Sequence, residues 1–197
     1  MERLQDLIEK IKVLENELAA EIQKKEEEFF YKIRGKRVLF EEKTKQYHKT
    51  LATGIRTYLW NANIFNILTA PLTWFCLIPA VFLDLVATLY QFISFPANNI
   101  PKVRRSDHIV IDRYELKYLN ALEKVNCVYC GYFNGLMAYV QEIAARTEQH
   151  YCPIKHARKV SNMHSRYKKF LEFGDADGYS KELKKIIRDF EDIEKTG

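Results

Sequence analysis

A stretch of 45 residues between Arg56 and Lys102 carries a single charged side chain, that of Asp84. The centre of this stretch, residues 64–96, reads IFNILTAPLTWFCLIPAVFLDLVATLYQFISFP. A soluble protein can bury an apolar helix of about 10–14 residues, whereas a longer apolar stretch is typical of a membrane segment. Because lipid offers no hydrogen bonds to the backbone, the stretch is predicted to be helical.

The length of the apolar stretch and the charges beside it predict how it meets the membrane. A continuous helix of this length would reach roughly 68 Å, about twice the hydrocarbon thickness of a bilayer. Pro71 and Pro79 are natural places for a kink or a break, and a break near Pro79 would leave two arms of roughly 20 residues each. Four basic residues lie on each flank: Lys43, Lys45, Lys49 and Arg56 before the stretch, and Lys102, Arg104, Arg105 and Arg113 after it. Equal flanks favour a hairpin over residues 61–101 with both soluble ends on the cytoplasmic side. The alternatives are a single kinked span and two helices buried in a soluble protein.

The second arm of the predicted hairpin has a polar stripe. Asp84, Thr88 and Gln91 follow an i, i+4, i+7 spacing and therefore share one helix face, while large apolar residues cover the rest. Ionisable groups in membrane segments rarely face lipid. We therefore expect this membrane-embedded polar stripe to face another part of the protein.

The N-terminal segment, residues 1–34, has the apolar spacing of a short coiled coil. Its seam alternates steps of three and four residues: Leu4, Leu7, Ile11, Leu14 and Leu18. The seam predicts either a homo-oligomer or protein partner bound through residues 4–18, or packing within the chain. Gly35 is expected to end this helix, and residues 35–60 then read as an amphipathic helix.

The rest of the chain also predicts helices. It holds 7 glycines and 5 prolines in 197 residues, too few turn residues for a β-sandwich or barrel. Helical spacing covers residues 112–149, where Gly131 and Gly135 permit close approach by another helix, and a further helix is predicted to begin at Pro153. The best strand candidate, residues 108–112, is short. The predicted fold class is all-α: an N-terminal coiled-coil-like helix, an apolar helical hairpin and a C-terminal helical bundle.

Two cysteine-containing pairs lie in residues 102–197, which are predicted to form a helical Cys/His domain. Cys127 and Cys130 have the C-x2-C spacing of structural zinc sites, and Cys152 and His156 have an acceptable C-x3-H spacing. Together they predict a closed, structural zinc site of three cysteines and one histidine. A straight helix would separate Cys130 from Cys152 by about 33 Å, so the prediction requires the chain between them to fold back.

Two other interpretations of these cysteines stay open. The Cys127/Cys130 pair or Cys152 could belong to a thiol enzyme or redox protein at the membrane surface, and Cys152 has the better environment because it precedes a helix start and a lysine. Alternatively, the cysteines are small buried apolar residues. No phosphate-binding loop, metalloprotease motif or nucleophile elbow occurs in the sequence, so a non-enzymatic protein is favoured.

A basic run follows the second pair, with no acidic residue between Cys152 and Phe170. Its six cations are Lys155, Arg158, Lys159, Arg166, Lys168 and Lys169. Such a run suits an anionic surface, either lipid headgroups or nucleic acid, or it is a solvated helix face. Aromatic residues are not interleaved along its exposed positions, which makes a nucleic-acid-binding module the less favoured alternative.

The block YLNALEKVNCVYCGYFNGLMAYVQEIAARTEQHYCPIKHAR, preceded by FPANNIPKVRRSDHIVIDR, resembles a family of uncharacterised bacterial membrane-associated proteins. The resemblance covers roughly residues 68–173. It implies a bacterial inner-membrane setting and carries over no functional residues. The sequence as a whole therefore predicts a membrane-associated helical protein that contacts the lipid bilayer and has an interaction or scaffold role.

Overall fold

The computed structural model describes residues 2–34 and 37–194. Its helices and strands, in chain order, are α1 (Glu2–Glu28), β1 (Tyr31–Arg34), β2 (Arg37–Phe40), α2 (Glu42–Leu51), α3 (Ile55–Asn61), α4 (Ile64–Phe75), α5 (Leu77–Ala97), α6 (Arg105–His108), α7 (Ala121–Tyr151), α8 (Ala176–Ile186) and α9 (Glu191–Glu194). The chain divides into two compact units, which are residues 1–61 with 112–127, and residues 62–111 with 128–197. The mainly helical fold class is confirmed.

The first unit contains the one sheet in the described residues, an antiparallel hairpin of β1 and β2 with Tyr31 opposite Phe40. The residue spacing of the sequence did not predict this hairpin. It lies where the coiled-coil spacing of α1 ends, and its cross-strand aromatic pair, with ring centroids 5.8 Å apart, gives the two short strands a shared apolar contact.

The structure describes only two side chains of the predicted coiled-coil seam on α1. Leu14 and Leu18, the last two seam residues, are 63% and 62% exposed, as expected of a surface without an intramolecular partner. The side chains of Leu4, Leu7 and Ile11 lie outside the described residues. The choice between a partner and packing within the chain therefore stays a prediction.

The core of the second unit lies between α5, α7 and the C-terminal segment. Its largest fully buried side chains include Phe95 from α5 and Leu136 and Tyr139 from α7. Ile100 and Val103, from the segment that follows α5, and Phe190, near the C-terminus, complete it. The apolar positions of α7 recur at helical spacing, so one side of this long helix faces the core.

The helix α7 begins later than the spacing predicted, at Ala121 rather than near residue 112. Asn120 and Glu123 form a reciprocal capping box: the Asn120 amide donates to the Glu123 carboxylate at 2.9 Å, and the Glu123 amide donates to the Asn120 side chain at 3.0 Å. From this cap the helix runs without interruption to Tyr151.

The apolar segment differs from the predicted hairpin. The helices α4 and α5 are separated only by Cys76, whose backbone is itself in the right-handed helical region, so residues Ile64–Ala97 form one helical segment of 34 residues. The two helices meet at Cys76, three residues before Pro79, near which a break was predicted; Pro79 lies in the first turn of α5, where a proline disrupts no hydrogen bond. The chain instead reverses after α5, where Asn99 has a left-handed φ of 54°.

The helix predicted from Pro153 is also absent from the structure. The chain there is irregular, and Ile154 forms a parallel bridge with Leu171. Two hydrogen bonds close this bridge, from the Lys155 amide to the Leu171 carbonyl at 2.8 Å and from the Leu171 amide to the Pro153 carbonyl at 2.9 Å. This bridge therefore joins the two ends of an irregular segment, residues 154–171.

Candidate functional site

The helix α5 has two faces of different chemistry. Its inner face is buried through Ala80, Ala87, Gln91 and Phe95. Its outer face is defined by the large apolar side chains that remain exposed: Ile78, Val81, Phe82, Leu85, Val86, Leu89, Phe92 and Ile93. The preceding helix α4 continues the apolar exposure with Ile64, Phe65, Ile67, Leu68, Leu72 and Phe75. Polar side chains on and beside the inner face, among them Asp84 and Gln91, hold α5 against the rest of its unit.

Asp84 is the centre of a polar cluster on the inner side of α5. Its carboxylate accepts two hydrogen bonds from Arg105, at 2.6 and 3.3 Å, one from the Tyr132 hydroxyl at 2.9 Å and one from Thr88 at 3.3 Å. Burial, and after it the hydrogen bond to Asp84, raises the pKa of the Tyr132 hydroxyl, which keeps this donor protonated. The single charge of the apolar stretch is thus fully paired inside the protein.

Gln91 continues the polar stripe and fastens α5 to the segment that follows it. Its side-chain oxygen accepts a hydrogen bond from the Val103 amide at 3.0 Å, and its amide group donates to the Val103 carbonyl at 3.4 Å and to the Tyr139 hydroxyl. Thr88 lies 3.4 Å from the same Tyr139 hydroxyl. Gln91 and Val103 are 6% and 4% exposed, so the side chain satisfies backbone groups that water cannot reach.

Gly135 allows the chain that returns after α5 to lie directly against α7. A Cβ atom at this position would lie 2.7 Å from the His108 carbonyl oxygen and 2.7 Å from the Ile109 Cα. The close approach that the glycine spacing predicted therefore occurs, and the approaching atoms are at the end of the four-residue helix α6 and in Ile109, the extended residue after it. Residues 108–112, the best strand candidate of the sequence, pair with no strand in the described residues.

A second polar network lies along α7 and was not predicted in this form. Arg146 is 8% exposed and donates to the Pro101 and Lys102 carbonyls at 2.8 and 3.1 Å, while Glu142 accepts from its Nε at 2.9 Å. The arginine bonds to the backbone of Pro101 and Lys102, next to Val103, to which Gln91 bonds. Arg146 therefore connects α7 to the segment that follows α5.

The polar stripe was predictable from the sequence, but its partners were not. Arg105, Tyr132 and Tyr139 supply most of the hydrogen bonds to the stripe, and their sequence positions gave no signal of this role. Tyr132 and Tyr139 are seven residues apart, which is two helical turns, so they share the face of α7 that meets α5. Aromatic residues at this spacing are usually core residues, and here their hydroxyl groups also form hydrogen bonds to the polar stripe.

The structure does not bring the predicted zinc ligands together. Cys130 lies within α7 and Cys152 follows its last residue, Tyr151, so the chain between them is continuous helix and the required fold-back does not occur. Residues 2–34 and 37–194 contain no group of three or more His, Cys, Asp or Glu side chains that could hold a metal ion. Cys127 is partly buried, and Cys130 and Cys152 are exposed free thiols. His156 contacts Tyr167 through its ring and its backbone amide. The zinc site stays a prediction that this geometry does not support.

The predicted basic surface is divided by the fold. Arg166 is 4% exposed and pairs with Asp192 at 2.6 and 3.0 Å, Lys169 pairs with Asp189 and Asp192, and Lys155 pairs with Glu172. These three cations are therefore largely engaged within the protein. The other three, Arg158, Lys159 and Lys168, are exposed.

Hydrogen bonds of Arg166 and its partners connect the C-terminal segment to α7. The Arg166 Nε donates to the side chain of Gln149 at 2.6 Å, and Gln149, which is fully buried, donates to the carbonyls of Ile186 and Asp189. The hydrogen bonds from Arg166, and to a smaller extent from Lys169, hold the pKa of Asp192 well below its usual value. This part of the basic run therefore has a structural role.

The fold and the site define a mainly helical protein. Its described residues include one long apolar helical segment, and the polar side of that segment is hydrogen-bonded to other residues of the same unit. Within the described residues, Ile64–Ala97 is long and apolar enough to cross a membrane by length and composition, with a mean hydropathy of 2.0 and 11% of the most apolar window buried. No protein-family model, curated protein or solved structure matches the chain.

Proposed function

We propose that this protein is a membrane-associated helical protein with an interaction or scaffold role, attached to the bilayer by the outer faces of α4 and α5. One observation carries the proposal. The most apolar segment of the chain, Ile64–Ala97, leaves its large side chains exposed while its polar stripe is satisfied inside the protein. A helix that serves as the core of a soluble protein has the opposite arrangement.

The exposed apolar face is large enough for stable attachment. Phe82, Leu85, Leu89 and Phe92 are each 55–67% exposed. Burying a whole side chain of this kind yields about 1.5–3 kcal/mol, so each of these four contributes roughly 1–2 kcal/mol on entering lipid. Their sum of roughly 4–8 kcal/mol is comparable with the roughly 5 kcal/mol of a single myristoyl chain, which alone binds reversibly, and the apolar side chains of α4 add the second contribution that stable attachment needs.

The packing of α5 favours attachment along the bilayer surface over a crossing. Arg105 bonds to Asp84, the eighth of the 21 residues of α5, and is half exposed. If α5 crossed the bilayer, this arginine would be carried deep into the hydrocarbon, at a cost of at least about 2.5–3.5 kcal/mol. An orientation in the plane of the interface places the outer face in lipid and leaves Arg105 on the aqueous side.

Cations beside the outer face favour an anionic bilayer such as the cytoplasmic leaflet of a bacterial inner membrane. The Lys102 ammonium lies 4.4 Å from the ring centroid of Phe92, at the edge of the outer face. A lysine near an anionic membrane surface contributes about 1 kcal/mol to attachment. The exposed Arg158, Lys159 and Lys168 have the same charge, and the proposal keeps both soluble ends on the cytoplasmic side.

Vesicle flotation tests the proposal with a matched pair of substitutions. Phe82 and Phe173 are 67% and 68% exposed, and only Phe82 belongs to the outer face. Phe82→Glu is expected to lower the vesicle partition coefficient at least about five- to thirty-fold, because it removes roughly 1–2 kcal/mol of apolar burial and adds a charge. Phe173→Glu should leave partition unchanged. Equal partition of both variants and the wild-type protein, or no flotation of the wild-type protein, would contradict the proposal.

A further inference from the structure

The helix α1 carries an apolar seam whose described side chains face solvent. Leu14 and Leu18 are both more than half exposed, on a helix of 27 residues. Large apolar side chains that recur at helical spacing normally face another surface, and an exposed apolar stripe marks a site of interaction. The register of the seam and the charges beside it indicate what that surface is.

The seam fits the heptad of a two-stranded coiled coil. Counted from position a, its residues alternate between positions a and d, with leucine at both d positions and isoleucine at the central a position: Leu4, Leu7, Ile11, Leu14 and Leu18. Isoleucine at a combined with leucine at d favours two parallel strands. The next d and a positions are occupied by Glu21 and Lys25, so the apolar seam ends after Leu18.

A second copy of α1 matches this seam best in a parallel, in-register pair. Each of the five seam residues then faces its own counterpart, which gives five apolar layers. In an antiparallel pair, a positions face d positions, and at most four layers are apolar. The alignments that reach four either leave Leu18 without an opposite residue or place Leu4 opposite Glu21.

The charges that flank the seam are complementary in the parallel pair. Lys10 occupies position g and Glu15 occupies position e, and both side chains are exposed. Residues five positions apart are not neighbours on one helix. In a parallel coiled coil, position g faces position e of the next heptad on the other helix, so Lys10 of each copy faces Glu15 of the other. These opposite signs favour a second copy of the chain as the occupant, since like signs would repel it.

We propose that α1 forms a parallel, in-register, two-stranded coiled coil with a second copy of this chain, through residues 4–18. The dimer gives the proposed interaction role a specific partner. All seam residues belong to α1, and none belongs to the apolar segment Ile64–Ala97. Self-association is therefore measured without a bilayer, and its failure is distinguishable from a failure of membrane attachment.

Sedimentation equilibrium of the full-length protein in density-matched detergent micelles measures this self-association. The wild-type protein should follow a monomer–dimer equilibrium. Leu14→Asp should raise the dissociation constant at least about a hundred-fold, because two leucine side chains leave the interface and two charges enter it. Val13→Asp is the matched control, because Val13 is 55% exposed on the same helix but occupies position c, outside the seam. It should change the dissociation constant by less than about three-fold.

A charge reversal tests the parallel register separately from the stability of α1. Lys10→Glu and Glu15→Lys should each weaken the dimer by about five- to thirty-fold at low salt, because each variant places like charges at two sites across the interface. The double variant forms the same pairs with exchanged signs, so its dissociation constant should return to within about three-fold of the wild-type value. A contact within one helix cannot produce this rescue, since the two residues are not neighbours there.

Three results would overturn the proposal. The first is a wild-type protein that stays monomeric at every concentration measured. The second is a Leu14→Asp variant that dimerises as tightly as Val13→Asp, which would place any dimer contact elsewhere in the chain. The third is a double charge reversal that stays as weak as the single variants, which would exclude the parallel, in-register pair.

Discussion

Replacing Gln91 by methionine tests whether the polar stripe of α5 holds the returning chain. The substitution keeps the length of the side chain but removes the groups that bond to the Val103 amide and carbonyl and to the Tyr139 hydroxyl. Because Val103 is 4% exposed, water cannot replace these bonds without local opening. Each buried group left without a partner costs about 1–3 kcal/mol, and two backbone groups are affected.

We therefore expect Gln91→Met to destabilise the protein by roughly 2–5 kcal/mol, after a small gain from the apolar side chain is allowed for. Urea unfolding monitored by circular dichroism gives this difference, and hydrogen exchange gives its location. Exchange should accelerate in a peptide that covers residues 100–105, where the Val103 amide loses its acceptor. Gln141→Met, at an exposed position of α7, is the matched control and should change stability by less than about 0.5 kcal/mol.

The reasoning is refuted if Gln91→Met matches Gln141→Met in stability and in exchange. That result would mean that packing of Phe95 and Tyr139, rather than the hydrogen bonds of the stripe, positions the returning chain. A loss of stability without faster exchange near Val103 would place the damage elsewhere and would also contradict the assignment of Gln91 to this backbone.

Three further predictions follow from the second unit. Gly135→Ala should destabilise the second unit, because a Cβ 2.7 Å from two backbone atoms forces the returning chain to move. This loss should exceed the helix-propensity gain of about 1 kcal/mol that alanine brings. A thermal unfolding temperature that is unchanged or raised would disprove the contact. The lowered pKa of Asp192 adds stability that is present above its ordinary value of 3.8 and is lost as the pH falls through the lower folded-state value. Asp192→Asn should therefore flatten the acid limb of the stability curve below about pH 4, and an unchanged limb would exclude this pair as its cause. The exposed thiols of Cys130 and Cys152 should react with an alkylating reagent in the folded protein at equal rates with and without added zinc; protection by zinc would restore the four-ligand site.

The sequence was a good guide to the location of helices and a poor guide to their ends. Periodicity located α7 because its apolar residues recur over many turns, but the Asn120–Glu123 capping box, and not the spacing, decides where the helix begins. The residues after Pro153 have helical spacing and are not helical, since tertiary hydrogen bonds between Pro153, Lys155 and Leu171 outweigh local preference.

The site shows the same division between local and long-range information. The polar stripe of α5 is a local pattern, and its assignment to an inner face needed only helix geometry. Its partners lie 12–51 residues away along the chain, and a single sequence carries no signal of such pairings. The zinc prediction combined two spacings that are each reasonable, but it depended on a fold-back that an uninterrupted α7 does not allow.

The depth of spin labels in the bilayer tests the proposed attachment most directly. In a protein whose native cysteines are replaced by serine, labels at Phe82, Leu85, Leu89 and Phe92 report their depth through the ratio of oxygen to polar-nickel accessibility. An α5 that lies along the surface predicts oxygen preference at all four positions and depths that agree within about 5 Å. A crossing helix would instead change depth by about 15 Å between positions 82 and 92, and a preference for nickel at these positions would show that the outer face does not enter lipid. Either result would contradict the account.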